Sequence, residues 1–150
     1  MALHLKTKID INAAPETVWA VLSDLPSYPS WNPFIREATG ILAAGEHLEI
    51  ELQPERGRSM RFRPTVLAAD EGRELRWRGR LAAPGVFDGE HRFTIEPTAR
   101  GSRLVQEERF TGVLVPFLAR GLRRGTPPGF ERMNEAVKER AEAKTARATA

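Results

Sequence analysis

The chain contains no cysteine, which excludes disulfide bridges, thiolate metal sites and a cysteine nucleophile. No apolar run approaches the roughly 20 residues that a membrane-spanning helix needs. The start, Met1-Ala-Leu-His-Leu-Lys6, lacks the apolar core of a signal peptide. These absences predict a cytoplasmic protein without stable membrane insertion. An excess of one charge is also missing, with 23 basic against 20 acidic side chains. Part of the basic set alternates with apolar residues, as in Arg76, Arg78 and Arg80, which is the pattern of a solvated strand face rather than a nucleic-acid patch. Arg123 and Arg124 alone are too few charges to argue for attraction to acidic lipids. There is no Gly-x-Ser-x-Gly turn, and Gly121 to Gly125 lies in a helical segment rather than after a strand, so no phosphate loop is expected. The three histidines, His4, His47 and His91, fall on separate segments without metal-ligand spacing. No metal and no cofactor are therefore expected.

What is present is enough for one domain of 150 residues with a sizeable core. The organising stretch lies near the end. Phe130, Met133, Val137 and Ala141 recur at spacings of three and four, which places an apolar stripe on one helix face. A preceding half extends a similar stripe through Phe117, Leu118 and Leu122. Between them, Gly125-Thr-Pro-Pro-Gly129 predicts a stop at Gly125 and a restart with Thr126 as N-cap and Pro127 in the first position, because each proline lacks an N–H and clashes with the carbonyl four residues back. A polar, alanine-rich tail after about Ala143 is expected to fray, which bounds the domain at residues 1–143 and leaves 144–150 as tail.

Earlier segments read mostly as strands. Leu3 to Asn12 alternates apolar and polar residues. Ala13 to Asp24 has proline at a helix start, with Val18, Val21, Leu22 and Leu25 at helical spacing. Pro26 to Pro33 is proline-rich and predicts a short helical turn and loop, with Tyr28 and Trp31 at a cavity rim. Strands are predicted for Phe34–Leu42, His47–Leu52, Met60–Ala68, Glu74–Leu81, Val86–Glu96 and Ser102–Thr111, separated by Gly, Pro and Asp turns, the pattern of an antiparallel meander.

This order resembles the START/SRPBCC superfamily, near its polyketide cyclase/dehydrase-like branch. The resemblance rests on Ala14-Pro-Glu-Thr-Val-Trp19-Ala-Val-Leu-Ser-Asp24, the Trp31-Asn-Pro33 turn, and Gly129-Phe-Glu-Arg-Met-Asn134, and it covers essentially the whole chain. It implies an α+β helix-grip fold: a curved, seven-stranded antiparallel sheet wrapped around a long C-terminal helix, with two short helices between the first two strands. Such a fold often holds an apolar ligand between sheet and helix. Pro127-Pro128 departs from the pattern at the point where the helix meets the cavity mouth.

Strand alternation nominates the cavity lining. Leu75, Trp77, Gly79 and Leu81 oppose Arg76, Arg78 and Arg80. Phe87, Gly89, His91, Phe93 and Ile95 share one face, as do Leu104, Gln106, Glu108 and Phe110. His91, Gln106 and Glu108 thereby fall among apolar neighbours, and buried polar groups need partners. A one-residue bulge would instead bring Glu107 inward. Histidine is suited to acid/base work near neutrality, with Glu108 as an orienting carboxylate; a structural hydrogen bond is the plainer alternative.

The expected activity is binding of a small apolar or aromatic molecule. Trp31, Phe34, Trp77, Phe87, Phe117, Phe130 and Met133 would form the walls, and His91, Gln106, Glu108 and Asn134 the polar contacts. One alternative is a cyclase or dehydratase acting on a polyketide-like substrate, with His91 and Glu108 catalytic. Another is a protein-interaction module like the chaperone activators, which requires an exposed apolar patch. A monomer or homodimer fits either.

Overall fold

The computed structural model describes residues 2–149. In β1 (Ala2–Ile11), Leu3, Leu5 and Ile11 are buried and the lysines between them exposed, so one face of the strand is covered. Pro15 opens α1 (Pro15–Ser23), which buries Val18, Val21 and Leu22. A 3-10 turn (Leu25–Ser27) and α2 (Tyr28–Trp31) follow. The Asn32 side chain then accepts hydrogen bonds from the amides of Phe34 and Ile35 at 3.0 and 2.8 Å, turning the chain into β2 (Ile35–Gly40). The remaining strands are β3 (Leu48–Leu52), β4 (Met60–Phe62), β5 (Thr65–Asp70), β6 (Glu74–Leu81), β7 (Phe87–Thr98) and β8 (Gly101–Thr111), and α3 runs from Val115 to Thr149.

All pairings are antiparallel, in the orders β1-β8-β7-β6-β5 and β2-β3-β4. The two sheets meet at a His47–Thr65 bridge, beside which the Leu48 amide donates to the Pro64 carbonyl at 2.9 Å. The fold is the expected α+β helix grip, with eight strands among the described residues in place of seven. The predicted Met60–Ala68 strand is divided because Pro64 has no N–H for a ladder and its ring restricts Arg63, so the chain changes sheets there.

Helix α3 does not stop at Gly125 as expected but is one helix of 35 residues with Pro127 and Pro128 inside it. The carbonyls left without helical donors are those of Arg123 and Arg124, on an exposed turn open to solvent. Continuity also sets the phase of the buried stripe. Counted back from Phe130 it passes through Leu122, Ala119 and Val115, and Phe117 falls on the opposite side, 83% exposed. A break at Gly125 would let that half of the helix turn Phe117 and Leu118 inward; the continuous helix holds both outward. Gly129 belongs to the packing as well, since a Cβ there would stand 2.5 Å from the Phe34 ring. At the far end, residues 144–149 continue the helix expected to fray after Ala143. Alanine favours helix strongly, and the Thr145 hydroxyl donates to the Ala141 carbonyl at 3.2 Å.

The core lies between the sheet and α3, which also packs against α1 and β1. Phe130, Met133, Val137 and Ala141 are buried there together with Leu75, Trp77, Phe93 and Leu104. Each large apolar side chain so buried contributes about 1.5–3 kcal/mol. Leu81, expected on the inner face, is 58% exposed because β6 ends there, beyond the cover of the core.

Candidate functional site

Inside this apolar interface runs a chain of polar side chains contributed by β7, β8, α3 and β1. His91 and Glu108 are direct partners across the β7–β8 ladder, whose register has no bulge. His91 Nδ1 and Glu108 Oε2 are 2.5 Å apart. On its other side, His91 Nε2 lies 3.1 Å from Gln106 Oε1. The Gln106 amide donates to Asn134 Oδ1 at 2.7 Å and to the Phe130 carbonyl at 3.3 Å. Asn134 Nδ2 donates to the Thr7 hydroxyl at 2.9 Å, and that hydroxyl donates to the Gln106 carbonyl at 3.3 Å, closing a ring.

The directions of these bonds locate a proton. A backbone carbonyl only accepts, so the Gln106 atom facing Phe130 is the NH2 group and the one facing His91 is the oxygen. His91 Nε2 therefore donates, and its proton is committed to Gln106. A second proton lies between Nδ1 and Glu108, giving either an imidazolium–carboxylate pair or a neutral imidazole with a carboxylic acid.

Rings enclose this pair. Trp77 stacks on His91 at 5.2 Å between centroids and 13° between planes, and Phe93 and Phe130 approach at 4.6 and 5.0 Å. The His91 side chain is 6% exposed and that of Glu108 12%, so the carboxylate is the more accessible end. It occupies a notch in the sheet. Gly79 and Gly89 are cross-strand partners on the inner face. A Cβ at Gly89 would stand 2.5 Å from Glu108 Oε1, and one at Gly79 3.1 Å from the half-buried ring of Phe62. Phe87 stacks on Phe110 at 5.5 Å beside the same notch.

Trp77, His91, Gln106, Glu108, Phe130 and Asn134 thus come together, and Phe34 joins through its edge contact with Phe130 at 5.6 Å. Met133 is fully buried on the same helix face. Phe117 is not among them. Trp31 packs elsewhere, against Tyr28 at 5.2 Å with the Arg140 guanidinium 5.7 Å from its ring. Tyr28, expected at a rim, is fully buried core whose hydroxyl bonds to the Leu22 carbonyl, and burial pushes that hydroxyl well above the ordinary tyrosine range. Glu107 points outward to His4 at 2.9 Å. Thr7 escaped notice among the predicted site residues, although its place between Leu5 and Ile9 put it on the inner face. A surface depression of about 380 Å³ between Trp19, Leu25, Leu42 and Glu71 is separate from this cluster.

The family described as polyketide cyclase / dehydrase and lipid transport matches residues 2–142. The chain belongs to that family. Its fold recurs in solved structures of low identity. The Zhui aromatase/cyclase from Streptomyces sp. R1128 superposes with a TM-score of 0.78 at 19% identity, over 97% of this chain and 96% of that one. A point mutant of norcoclaurine synthase from Thalictrum flavum gives 0.73 at 12% identity, over 97% of both. Against the di-domain aromatase/cyclase StfQ of the steffimycin pathway the TM-score is 0.78 at 12% identity, and this family member, 97% covered, spans about half of it, 52%. No curated protein matches the chain.

Proposed function

We propose that this family member binds a small apolar or aromatic molecule carrying at least one oxygen, held between sheet and α3 with that oxygen against Glu108. One observation carries the reading: a fully partnered polar chain crosses an otherwise apolar interface and ends in a carboxylate above the Gly79–Gly89 notch. A core built for stability alone gains little from such a chain, since its desolvation offsets most of its hydrogen bonding. Phe62, on the three-residue edge strand β4, covers the notch, and ligand access displaces its ring.

An enzymatic reading is favoured by the short Nδ1–Oε2 contact. In it the roles differ from those suggested by residue type alone. His91 Nε2 is committed to Gln106, so Glu108 meets the substrate and exchanges a proton with it, while His91 takes up or returns that proton through Nδ1. Native mass spectrometry of the purified protein, compared with the denatured chain, tests the first reading: a bound mass that Glu108→Gln weakens supports it. Loss of turnover of a polyketide-like substrate in Glu108→Gln, with its binding retained, supports the second. Binding of apolar oxygen-bearing molecules that neither Glu108→Gln nor Gly89→Ala alters would place the ligand elsewhere.

A further inference from the structure

The start of α3 and the turn before it carry apolar side chains that the fold leaves uncovered. Phe117 is 83% exposed, Val113 68% and Leu118 41%, while Val115 and Ala119 on the other side of the same turns are buried. Hydrogen bonds from the amides of Val113 and Leu114 to the carbonyls of Gly85 and Val86, at 3.0 and 3.1 Å, hold this segment against the β6–β7 turn. The apolar side chains therefore stand on a fixed support.

Cationic side chains share that outer surface. Arg120 and Arg124 follow Phe117 by three and seven residues, which aligns them along its face, and Arg123 lies on the neighbouring row. All three are exposed. None forms an ion pair among the described residues. No aspartate or glutamate occurs from Thr111 to Phe130. The surface thus joins an outward phenylalanine and leucines to three uncompensated guanidinium groups, the combination that suits a headgroup region, where arginine stems lie along apolar surface and their charges reach lipid phosphates.

We propose that this face docks reversibly on anionic lipid bilayers, with Phe117 and Leu118 entering the headgroup region and Arg120, Arg123 and Arg124 bound to its anionic groups. Charge decides between this occupant and a second copy of the chain. A two-fold contact through the same patch would set three arginines against three with no acid to relieve them. The surface inference stands without the ligand-binding reading.

Vesicle flotation tests it, using phosphatidylcholine alone and phosphatidylcholine with about 30% phosphatidylserine. The wild-type chain is expected to float with the anionic vesicles and to be released by high salt. The triple variant R120Q/R123Q/R124Q is expected to lose on the order of 100-fold in affinity. Phe117→Ser weakens binding further, and since every altered residue is exposed, the thermal midpoints stay unchanged. Absence of wild-type binding, equal binding to neutral vesicles, or undiminished binding by the triple variant overturns the proposal. So does a dimer in sedimentation equilibrium that Phe117→Ser dissolves, which would make the patch a self-contact.

Discussion

Glu108 and His91 face each other across two adjacent strands, and the ladder itself sets their contact at 2.5 Å. Neither side chain needs a long flexible stem to reach the other. The pair branches from the Gln106–Asn134–Thr7 ring, and Gln106 holds the imidazole from the far side. A proton moving in this site therefore moves on the Nδ1–Glu108 side.

Gln106 is the hinge of the ring, and Gln106→Leu leaves His91 Nε2 and Asn134 Oδ1 without partners and takes a side-chain donor from the Phe130 carbonyl. The expected cost is about 2–4 kcal/mol in a denaturant titration. Adding Asn134→Leu to it should cost less than the sum of the two single changes, because both disrupt one network. Strict additivity would show that the side chains act independently.

Gly89→Ala separates the site from the fold. The new Cβ meets the Glu108 carboxylate, the movable end of a side chain, so the backbone need not shift and stability should fall by about 1–3 kcal/mol. The carboxylate must leave the notch, which shifts the His91 ring resonances and lowers the affinity for an oxygen-bearing ligand. Nuclear magnetic resonance of the imidazole checks the first effect, and an unchanged His91 spectrum would show that the carboxylate does not fill the notch.

Pro127 and Pro128 lie inside a continuous helix, so replacing both with alanine restores two backbone donors and should raise stability by about 1–3 kcal/mol. Were Pro127 at a helix start, the same change would be neutral or harmful. Two glycines nearby should behave oppositely. Gly125→Ala, with open space at its Cβ, stabilises by about 0.5–1 kcal/mol. Gly129→Ala drives a Cβ into the Phe34 ring and destabilises. Thermal midpoints of the three variants decide the matter.

Glu142 accepts from Lys138 Nζ at 2.8 Å and from the Asn12 amide at 2.9 Å, and these bonds, the Lys138 one foremost, hold its carboxyl below the usual value of 4.5. A carboxyl lowered in the folded state stabilises above its unfolded value, and that contribution fades as pH falls through the folded one. The Glu142 side chain is about a third exposed, at 31%, and the pair is screened by solvent, so Glu142→Gln should cost under about 0.5 kcal/mol at neutral pH and nothing in strong acid. Stability curves of both proteins across the acid limb should converge.

Strand alternation placed His91, Gln106 and Glu108 on the inner face because side-chain direction in a regular ladder repeats every two residues, and β7–β8 contains no bulge. The stripe of Phe130, Met133, Val137 and Ala141 likewise follows from the local helical period, and Pro15 marks a helix start through its own covalent geometry. These were determined by the sequence, since each depends on near neighbours in the chain. Whether the helix passes through Pro127-Pro128 depended on packing along the whole of α3, and with it went the side on which Phe117 lies. The division of the Met60–Ala68 segment at Pro64 required a second sheet to receive the strand. The ring joining Thr7, Gln106 and Asn134 spans residues as far as 127 positions apart, and no local rule specifies which amide meets which hydroxyl. Only the tertiary structure decided that, because a buried polar atom takes its partner from whatever the fold brings within hydrogen-bond reach.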